Sequence, residues 1–559
     1  MKKRIRDLTK YLPLLACAAA LLWLFYQLYP LLFATHDDMR NYTLVRRGML
    51  AENALLSAKK GRISHLWNHF LLGFPFILNK AWFYKLVSYG TLLFDLSAMY
   101  LLLQSQISRK FAALSVMLAS AWFCINANHN LLIAYAFCHQ LPAGLLFLSL
   151  YFFGKRLKSG KKRNTLLSCL FLLLSCMIYE AFVAALLIFA VWALTVTEQK
   201  TGYFSYLRAS ARRMLPQTCT AFAYCIVYFG WQYVYPSAYD GTSLMLKEPF
   251  VSLAALGTFS TSMLPTAELM RMSRGEELSV LRFCGHLLHP AAWVCAILTA
   301  AAVYVLLPRI RTERQTLHRT LLIAGIGIPA PCLLISFSEK YIEWYRRGTT
   351  GYVPSFYSYF FVIIFLAAAG IALYASADGF PQKQTVRGIL TAAVFGMTLC
   401  ASSVNDMWKP YFEKLLRHYR SFDQTISAAP FTECDDSFQL FAPDHEGIHL
   451  AANYTEDYMK IYNAAEIAFV NNAEALSPDK RILCIRAQQD DAYTVSGITD
   501  AQFLTEIVTV RTLHTGTLTI QLTDDSGQPQ IFENVRDGDM LRAADGTQFD
   551  LANSFPKAP

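Results

Sequence analysis

The sequence predicts a mainly α-helical, polytopic membrane protein with about 11 transmembrane helices, followed by a small extracytoplasmic α+β domain. Composition is the first observation: 54% of the 559 residues are hydrophobic, 16% are charged, and the mean hydropathy is +0.30, whereas soluble domains carry about 25% charged residues. Apolar runs long enough to cross a bilayer are the second. The third is a division of charge, since residues 1–404 hold 38 Lys/Arg and 16 Asp/Glu, and residues 405–559 hold 12 and 24.

The charge division predicts two domains, a transmembrane domain over 1–404 and a soluble domain over 405–559. The basic residues of the first lie in short segments between apolar runs, where they set the orientation of the chain in a membrane. Nucleic acid is therefore excluded as a partner, and membrane lipids are expected. We predict a multi-pass protein of the cytoplasmic (inner) membrane, with its N-terminus inside and its C-terminal domain outside.

The first predicted span follows a basic segment. Five Lys or Arg residues within positions 1–10 precede an apolar run from Leu12 to Ala34. A basic start before an apolar run also occurs in signal peptides, but about 23 apolar residues exceed the length of a signal core and suffice to cross a membrane. We therefore expect an uncleaved first span.

The same length criterion of about 20 apolar residues predicts the other spans. Single crossings are expected near 12–34, 84–103, 111–127, 131–153, 215–235, 286–307, 320–337, 354–376 and 389–404. Residues 165–196 form one apolar run of 32 residues with basic segments on both sides. Because basic flanks stay in the cytoplasm, this run must cross twice, with its tip at Tyr179-Glu180 and two short helices of about 24 Å each.

The distribution of Lys and Arg tests this topology. The segments assigned to the cytoplasm hold 23 Lys/Arg in 72 residues, and the segments assigned to the outside hold 14 in 122. Such an excess on one side is the signature of cytoplasmic loops. It favours 11 spans with the N-terminus inside and the C-terminus outside.

Two outer loops are long, 35–82 and 237–288, and contain the stretches Leu44–Ala58 and Phe250–Leu264, which suit helices lying along the interface. Any active surface is therefore expected outside. The soluble domain is predicted to contain helices over Met407–Ile426 and Asn453–Ala475. Its alternating segments predict strands at Arg481–Ala487, Glu506–Leu513, Thr517–Thr523, Ile531–Val535 and Thr547–Leu551.

The 13 cysteines do not indicate a metal centre. Eleven lie before residue 405, nearly all in apolar runs and never at metal-ligand spacing, so they are interpreted as small core residues. Cys434 and Cys484 remain, and they could pair if the soluble domain is extracytoplasmic. Signatures for ATP, dinucleotides and zinc are absent from the sequence, and we predict neither a metal nor a cofactor.

An acidic pair, Asp37-Asp38, directly follows the first span and is next to Arg40. Two adjacent carboxylates above a bilayer could provide a general base whose pKa is set by its neighbour and by the low dielectric. The alternative is that one Asp caps the following helix or is simply solvated, since acidic residues outside a membrane are cheap to hydrate. Both interpretations stay open at this stage.

The architecture around this pair resembles the GT-C superfamily of polytopic membrane glycosyltransferases, in particular the bacterial type that depends on polyprenyl-phosphate sugars. The shared features are a cytosolic N-terminus, about a dozen spans, a long first outer loop opening with acidic residues, and an outer soluble domain. Residue by residue, only Asp37 and Asp38 match. The resemblance implies a lipid-phosphate-linked sugar as donor and an acidic residue of the first outer loop as catalytic base or acceptor-positioning group.

Glu180 is the second acidic candidate. An ionisable residue at membrane depth is costly and usually faces a polar cavity, so it could orient an acceptor hydroxyl; the alternative is a turn residue in interfacial water. His139 could line the same cavity or be a satisfied core histidine. Asp95, in the middle of the second span, needs a buried partner and is interpreted as structural.

A phosphate-bearing donor needs cations, and the outer segment 338–348 supplies Lys340, Arg346 and Arg347 beside Trp344 and Tyr345. Arginine binds phosphate bidentately, and the aromatic rings could stack on a sugar. The alternative is anchoring to lipid headgroups and the interfacial belt. Arg40 offers a further cation beside the acidic pair.

These observations predict a glycosyltransferase that moves a hexosyl or pentosyl group from a polyprenyl-phosphate donor to a surface glycan or lipid at the outer face. Two alternatives belong to other classes. A flippase or transporter of lipid-linked glycans would need a continuous polar path, for which Asp95 is the only deep acidic residue. A non-catalytic scaffold of the cell envelope would leave the carboxylates and arginines scattered.

Overall fold

The computed structural model describes residues 2–31, 36–46, 48–78, 80–125, 129–197, 203–237, 241, 243, 245, 247–268 and 280–426, and strands between 438 and 550. The chain divides into two compact units. The first unit comprises Met1–Pro30, Ala51–Pro75 and Lys85–Pro410, and the second comprises Leu31–Leu50, Phe76–Tyr84 and Tyr411–Pro559.

The helices follow one another along most of the chain. They are α1 (Lys2–Leu28), α2 (His36–Arg46), α3 (Leu50–Ala58), α4 (His65–Gly73), α5 (Ala81–Gln106), α6 (Arg109–Trp122), α7 (Leu141–Ser159), α8 (Lys162–Ile178), α9 (Leu186–Val196), α10 (Tyr203–Val234), α11 (Pro249–Thr261), α12 (Val280–His286), α13 (Pro290–Leu306), α14 (Arg314–Gly327), α15 (Leu333–Ser336), α16 (Glu339–Arg346), α17 (Val353–Ser376) and α18 (Gly379–Ile426).

Within the described residues, six helical segments are long and apolar enough to cross a membrane. They are Tyr11–Leu28, Ala81–Gln106, Pro290–Arg309, Arg314–Ser336, Val353–Ser376 and Gly379–Pro410. The mainly helical, polytopic fold predicted from the sequence is thereby confirmed. Helices α6 to α10 lie at the other predicted spans, and the count of 11 crossings stays a prediction.

The apolar run 165–196 is broken where the sequence predicted its tip. Helix α8 ends at Ile178, Tyr179 is extended (φ −144°, ψ 113°), and a 3-10 turn over Glu180–Ala185 leads into α9. Ser175 near the end of α8 donates to the carbonyl of Pro142 at the start of α7.

The second arm of the run leads back along α7. Trp192 of α9 lies 5.6 Å, ring to ring, from Phe153 in the later part of α7. The two arms of the run therefore point in opposite directions along α7, as a hairpin requires.

Basic side chains at one end of the first unit donate hydrogen bonds to backbone carbonyls of neighbouring helices. Arg156 donates to the carbonyl of Arg213 at 2.6 Å, Arg213 to that of Val196 at 3.0 Å, and Lys158 to that of Ser105 at 2.7 Å. We call this the basic end. The end with Tyr179 and Glu180 is called the tip end. The flanks of the hairpin thus meet at the basic end, in agreement with the sequence argument.

The predicted span 131–153 is wrong over its first ten residues, which form turns. Side chains replace the helical hydrogen bonds there: the Gln140 amide accepts from Phe137 N at 3.0 Å and donates to the Leu131 carbonyl at 2.7 Å. Pro142 then favours the start of α7, because its missing N–H is not needed in the first helical turn.

Asp95 has the structural role that the sequence suggested. Its Oδ1 accepts a 2.8 Å hydrogen bond from the backbone N–H of Gly144, which joins α5 to α7. A Cβ at position 144 would lie 2.4 Å from the Phe94 ring, so the close approach requires glycine. The Asp95 carboxylate therefore serves to hold α5 and α7 together.

The two segments predicted to be long outer loops differ from the simple amphipathic helices expected in them. The stretch Leu44–Ala58 is interrupted, because α2 ends at Arg46 and α3 begins at Leu50, with Gly48 between them at φ +69°. Over Phe250–Leu264, helix α11 buries Ala255 and Phe259 in a cluster with Cys332, Ile335 and Tyr341. Position along the interface stays a prediction for both stretches.

In the second unit, strands form a mixed sheet. They are β1 (Phe438–Phe441), β2 (Ile467–Val470), β3 (Arg481–Ala487), β4 (Tyr493–Asp500), β5 (Phe503–Thr512), β6 (Leu518–Thr523), β7 (Pro529–Val535), β8 (Met540–Arg542) and β9 (Gln548–Asp550). The sheet order is β2-β1-β3-β4-β5-β6-β7, with β1 parallel to β2 and β3 and the other pairs antiparallel, while β8 and β9 pair separately.

The five strands predicted after residue 480 are present, but the helix predicted over Asn453–Ala475 is wrong at Ile467–Val470, which is β2. Parallel pairing with β1 outweighs the local helical pattern there. Helix α18 continues through the predicted domain boundary at residue 404. Cys434 lies outside the described residues, so its pairing with Cys484 remains a prediction.

Candidate functional site at the tip end

Helix α4, which lies in the segment predicted to be the first outer loop, contacts the hairpin tip. From α4, Trp67 donates its indole N–H to the carbonyl of Met177 at 2.8 Å, and Asn68 donates its amide to that of Ile178 at 2.9 Å. These carbonyls belong to the last turn of α8, where no intrahelical donor is available. The loop therefore caps α8 and is held directly beside Glu180.

This docking brings Arg62 to Glu180. The Arg62 Nη2 and Glu180 Oε1 atoms are 3.3 Å apart, and the side chains are 23% and 28% exposed, so the pair is largely withdrawn from water. Gly61 precedes it at φ +92°, and a Cβ there would lie 2.5 Å from the Cα of Ser237. Only glycine permits this close approach, which sets the direction in which Arg62 leaves the loop.

Glu180 is the carboxylate best placed for chemistry in the first unit. Its Oε2 is buried and has no hydrogen-bond partner among the described residues, while Oε1 faces Arg62. A buried acceptor without a donor is costly, and native structures seldom keep one without a reason. The arrangement suits a hydroxyl group of a bound molecule, which would donate to Oε2.

Aromatic and imidazole rings continue from this carboxylate. The Tyr179 ring lies 5.6 Å from His139 and 6.0 Å from Tyr357, and the Tyr357 hydroxyl donates to the backbone carbonyl of His139 at 2.6 Å. Phe182 packs on Tyr357 at 4.6 Å. The His139 ring is half-buried between Tyr135 and Tyr179, the residue that precedes Glu180, and its place in a shared cavity with Glu180 stays a prediction.

The row of rings extends to α16 and α17. His139 lies 5.4 Å from Tyr135, and Tyr135 forms a 2.7 Å hydrogen bond with Nδ1 of His129. His129 in turn stacks on Trp344 at 5.8 Å and lies 5.4 Å from Tyr352. We call the whole row the aromatic wall; its members are His129, Tyr135, His139, Tyr179, Trp344, Tyr352 and Tyr357.

The backbone of the aromatic wall is strained. Tyr135 (φ +52°) and Phe137 (φ +71°) are non-glycine residues in the left-handed region. Each such residue costs about 1–3 kcal/mol and persists only where the surroundings hold it, often at functional sites. The strain places Tyr135 between the two histidines.

Trp344 is less available than the sequence suggested. His129 stacks against its ring, and the Lys340 ammonium lies 5.5 Å from the ring centroid in a cation–π contact. Tyr345 instead packs edge-on to Phe259 at 6.3 Å. Trp344 is therefore part of the aromatic wall and Lys340 packs against it, while Tyr345 supports α11.

Arg346 and Arg347 are both exposed and both paired. Arg346 forms a salt bridge with Glu248, and Arg347 forms one with Glu343 one turn earlier in α16. The hydrogen bond to Glu248, together with its charge, raises the pKa of Arg346 above its ordinary value. A donor phosphate would have to replace these carboxylates.

Asp37, Asp38 and Arg40 lie in the second unit, in the first turns of α2. Asp38 is 1% exposed, so the interpretation as a freely solvated acid does not describe it. Helix α2 begins before the pair, at His36, which places both carboxylates inside the first turn, where the helix dipole favours negative charge. The Asn41 amide donates to the Asp37 carbonyl at 2.8 Å and stiffens this turn.

Sequence reasoning missed the residues that build the site around Glu180. Arg62, Trp67 and Asn68 lie in the predicted outer loop 35–82 but carry no motif. Tyr352 lies just before the predicted span 354–376, and Tyr357 looked like an ordinary residue of that span. The one available signal was charge: an acid at membrane depth needs a partner, and Arg62 is a basic residue of the adjoining outer loop. Among the residues that the structure describes, no group of three or more His, Cys, Asp or Glu could hold a metal ion.

The chain is similar to solved structures but matches no family model and no curated protein. Among solved structures, the chain is similar to the crystal structure of ArnT from Cupriavidus metallidurans bound to undecaprenyl phosphate, with 13% identity and a TM-score of 0.38, over 85% of this chain and 92% of that one.

Proposed function

We propose that the chain is a membrane glycosyltransferase that moves a sugar from a polyprenyl-phosphate donor to a hydroxyl of a surface glycan or lipid at the outer face of the cytoplasmic membrane. The observation that carries the proposal is Glu180. Its Oε2 is buried without a described partner, its Oε1 is held by Arg62, and the aromatic wall extends beside it. A carboxylate acceptor for a hydroxyl beside a row of aromatic rings suits a carbohydrate.

The reaction requires one bond to form and one to break. The acceptor oxygen attacks the anomeric carbon, and the bond from that carbon to the phosphate oxygen breaks, so the electron pair leaves with the polyprenyl phosphate. The hydroxyl proton passes to a carboxylate base. Displacement in a single step inverts the configuration at the anomeric carbon, and positive charge develops on the sugar ring.

We assign the base to the Asp37-Asp38 pair. Asp38 is buried and Asp37 half-buried, so neither behaves as an ordinary surface acid. One carboxylate would accept the proton and the other would orient it, with Arg40 two residues further along the same helix to limit repulsion between them. Glu180 would position the acceptor by receiving a hydrogen bond at Oε2.

The donor phosphate is assigned to the cations of α16. Lys340 is held over Trp344, and the exposed salt bridges of Arg346 and Arg347 are of the kind that contributes little and exchanges readily. A phosphate carries more charge than a carboxylate and accepts bidentate hydrogen bonds from arginine. It can therefore displace Glu248 and Glu343 when the donor binds.

The orientation is tested with reporter fusions. Fusions near residue 181 and after residue 404 should be active with an extracytoplasmic reporter, whereas fusions near 160 and 205 should read as cytoplasmic, because the basic residues gather at that end. Reporters at 160 and 205 on opposite sides of the membrane would contradict the hairpin topology.

The function is tested by mass analysis of lipids and glycans from a strain that lacks the chain. We expect one prenyl-phosphate sugar to accumulate and one surface glycan or lipid to lose that sugar, both restored by the wild-type chain. Restoration by Glu180→Gln at equal protein level would contradict the assigned site. An unchanged lipid and glycan profile in the deletion strain would reject the transferase.

A further inference from the structure

A partly open cavity of about 60 Å³ lies among α5, α7, α9, α14 and α17 of the first unit, near the basic end. One water needs about 10–15 Å³ on this measure, so the cavity has room for several methylene groups. Most of its lining is apolar and includes Leu103, Leu150, Trp192 and Phe361. Apolar cavities do not retain water well, which makes a hydrocarbon chain the natural occupant.

The polar part of the lining consists of Arg319 and the neutral residues Gln106, Thr316 and Thr320. Arg319 lines the cavity, and its Nε is buried without a hydrogen-bond partner among the described residues. Lys158 is close enough for Arg319 to act on it: burial, and then the charge of Arg319, lower the pKa of Lys158. Lys158 donates to a neutral carbonyl, that of Ser105, at 2.7 Å.

Two neighbouring cations without an acidic partner favour an anion. Within the described part of the chain, the ion pairs join other residues, and neither Lys158 nor Arg319 takes part in one. A phosphate at this position would accept a charge-assisted hydrogen bond from Arg319 and relieve the repulsion. The cations and the apolar cavity together match an amphiphile with an anionic head and a hydrocarbon tail.

We propose that this cavity binds an anionic glycerophospholipid of the surrounding membrane, with its phosphate at Arg319 and Lys158 and one acyl chain between α5, α14 and α17. The charge complementarity and the apolar lining select this occupant. The bound lipid would join the hairpin arm α9 to α14 at the basic end. This inference is independent of the proposed glycosyl transfer, which uses the tip end.

Native mass spectrometry of the full chain in detergent tests the site. Titrations use phosphatidylglycerol and, with the same acyl chains, phosphatidylcholine. We expect tighter binding of phosphatidylglycerol, and we expect Arg319→Gln to weaken its apparent Kd by about tenfold to a hundredfold, because a charge-assisted hydrogen bond is lost. Arg314→Gln, an exposed arginine on the same helix, is the matched control and should bind like the wild type.

Further variants separate head from tail. Ile323→Phe narrows the cavity without removing a charge and should weaken the binding of phosphatidylglycerol severalfold. If Arg319→Gln does not fold, Lys158→Gln takes its place and should show a smaller loss of the same sign. Inorganic phosphate should raise the unfolding temperature of the protein less than phosphatidylglycerol does. An equal rise would indicate a site for a soluble anion and overturn the proposal.

Two other results would also overturn it. Equal Kd values for the two phospholipids in the wild type would show that the cations do not select the head. The cavity would be assigned to a prenyl lipid if an equimolar synthetic prenyl phosphate displaced phosphatidylglycerol and the protein bound phosphatidylglycerol no better than phosphatidylcholine.

Discussion

Two Arg–Glu pairs of the first unit join segments that are far apart in sequence, and they differ in burial. Arg62 and Glu180 are 23% and 28% exposed, whereas Arg346 and Glu248 are 45% and 42% exposed. Charges withdrawn from water interact strongly and are expensive to leave unpaired, while exposed pairs contribute little. The comparison separates a pair built into the structure from one that a ligand can exchange.

The two pairs should differ most in the rate of glycosyl transfer when the glutamate of each pair is replaced by glutamine. Glu180→Gln should lower transfer by about 10²-fold or more, since a positioned carboxylate is lost, while Glu248→Gln should stay close to the wild type. Initial rates in membranes, normalised to the amount of inserted protein, measure the contrast. Similar losses in both variants would remove the distinction between the two pairs.

The capping contacts around the buried pair should affect stability more than activity. Trp67→Phe and Asn68→Ala each remove a hydrogen bond to the last turn of α8 and should lower the free energy of unfolding by about 1 kcal/mol. Thermal unfolding in detergent measures it, with Trp82→Phe as the exposed control. If Trp67→Phe unfolds like Trp82→Phe, the loop is not fastened to the tip in the way described.

The exposed pair should give the smallest effect on stability and a selective effect on donor use. Replacing Arg346 and Arg347 by Ala should leave the unfolding temperature near that of the wild type and raise the apparent donor constant, because the phosphate loses two donors. The double variant Arg311→Ala/Arg314→Ala, on two exposed arginines just before and at the start of α14, is the control. An unchanged donor constant would assign Arg346 and Arg347 to membrane anchoring.

The sequence predicted the parts of the fold that depend on local composition and charge. The apolar runs and the basic flanks located most helices, and the flanks of 165–196 located the break at Tyr179 within one residue of its position. The strands after residue 480 followed from alternation alone. Each of these features depends on residues that are close together in the sequence, so it can be predicted without knowledge of tertiary contacts.

The features that the sequence did not predict depend on tertiary contacts or on a few side chains. Turns over 131–140 are held by Gln140, whose two hydrogen bonds replace helical ones, and an apolar run gives no sign of them. Strand β2 exists because it pairs with β1, from which it is separated by 25 residues. The predicted site was sparse for the same reason: Arg62 and Tyr357 come from segments that only the folded chain places around Glu180 and His139.

The most direct test of glycosyl transfer uses the purified chain in liposomes with synthetic polyprenyl-phosphate hexoses and pentoses. The wild type should release the sugar to an envelope-derived acceptor. The double variant Asp37→Asn/Asp38→Asn should do so about 10²–10⁴-fold more slowly, and Glu52→Gln, an exposed acid on α3, should do so at the normal rate. Wild-type transfer by the double Asn variant, inserted at the same level, would contradict the assignment of the base, and no transfer by the wild type with any donor and acceptor would contradict the function itself.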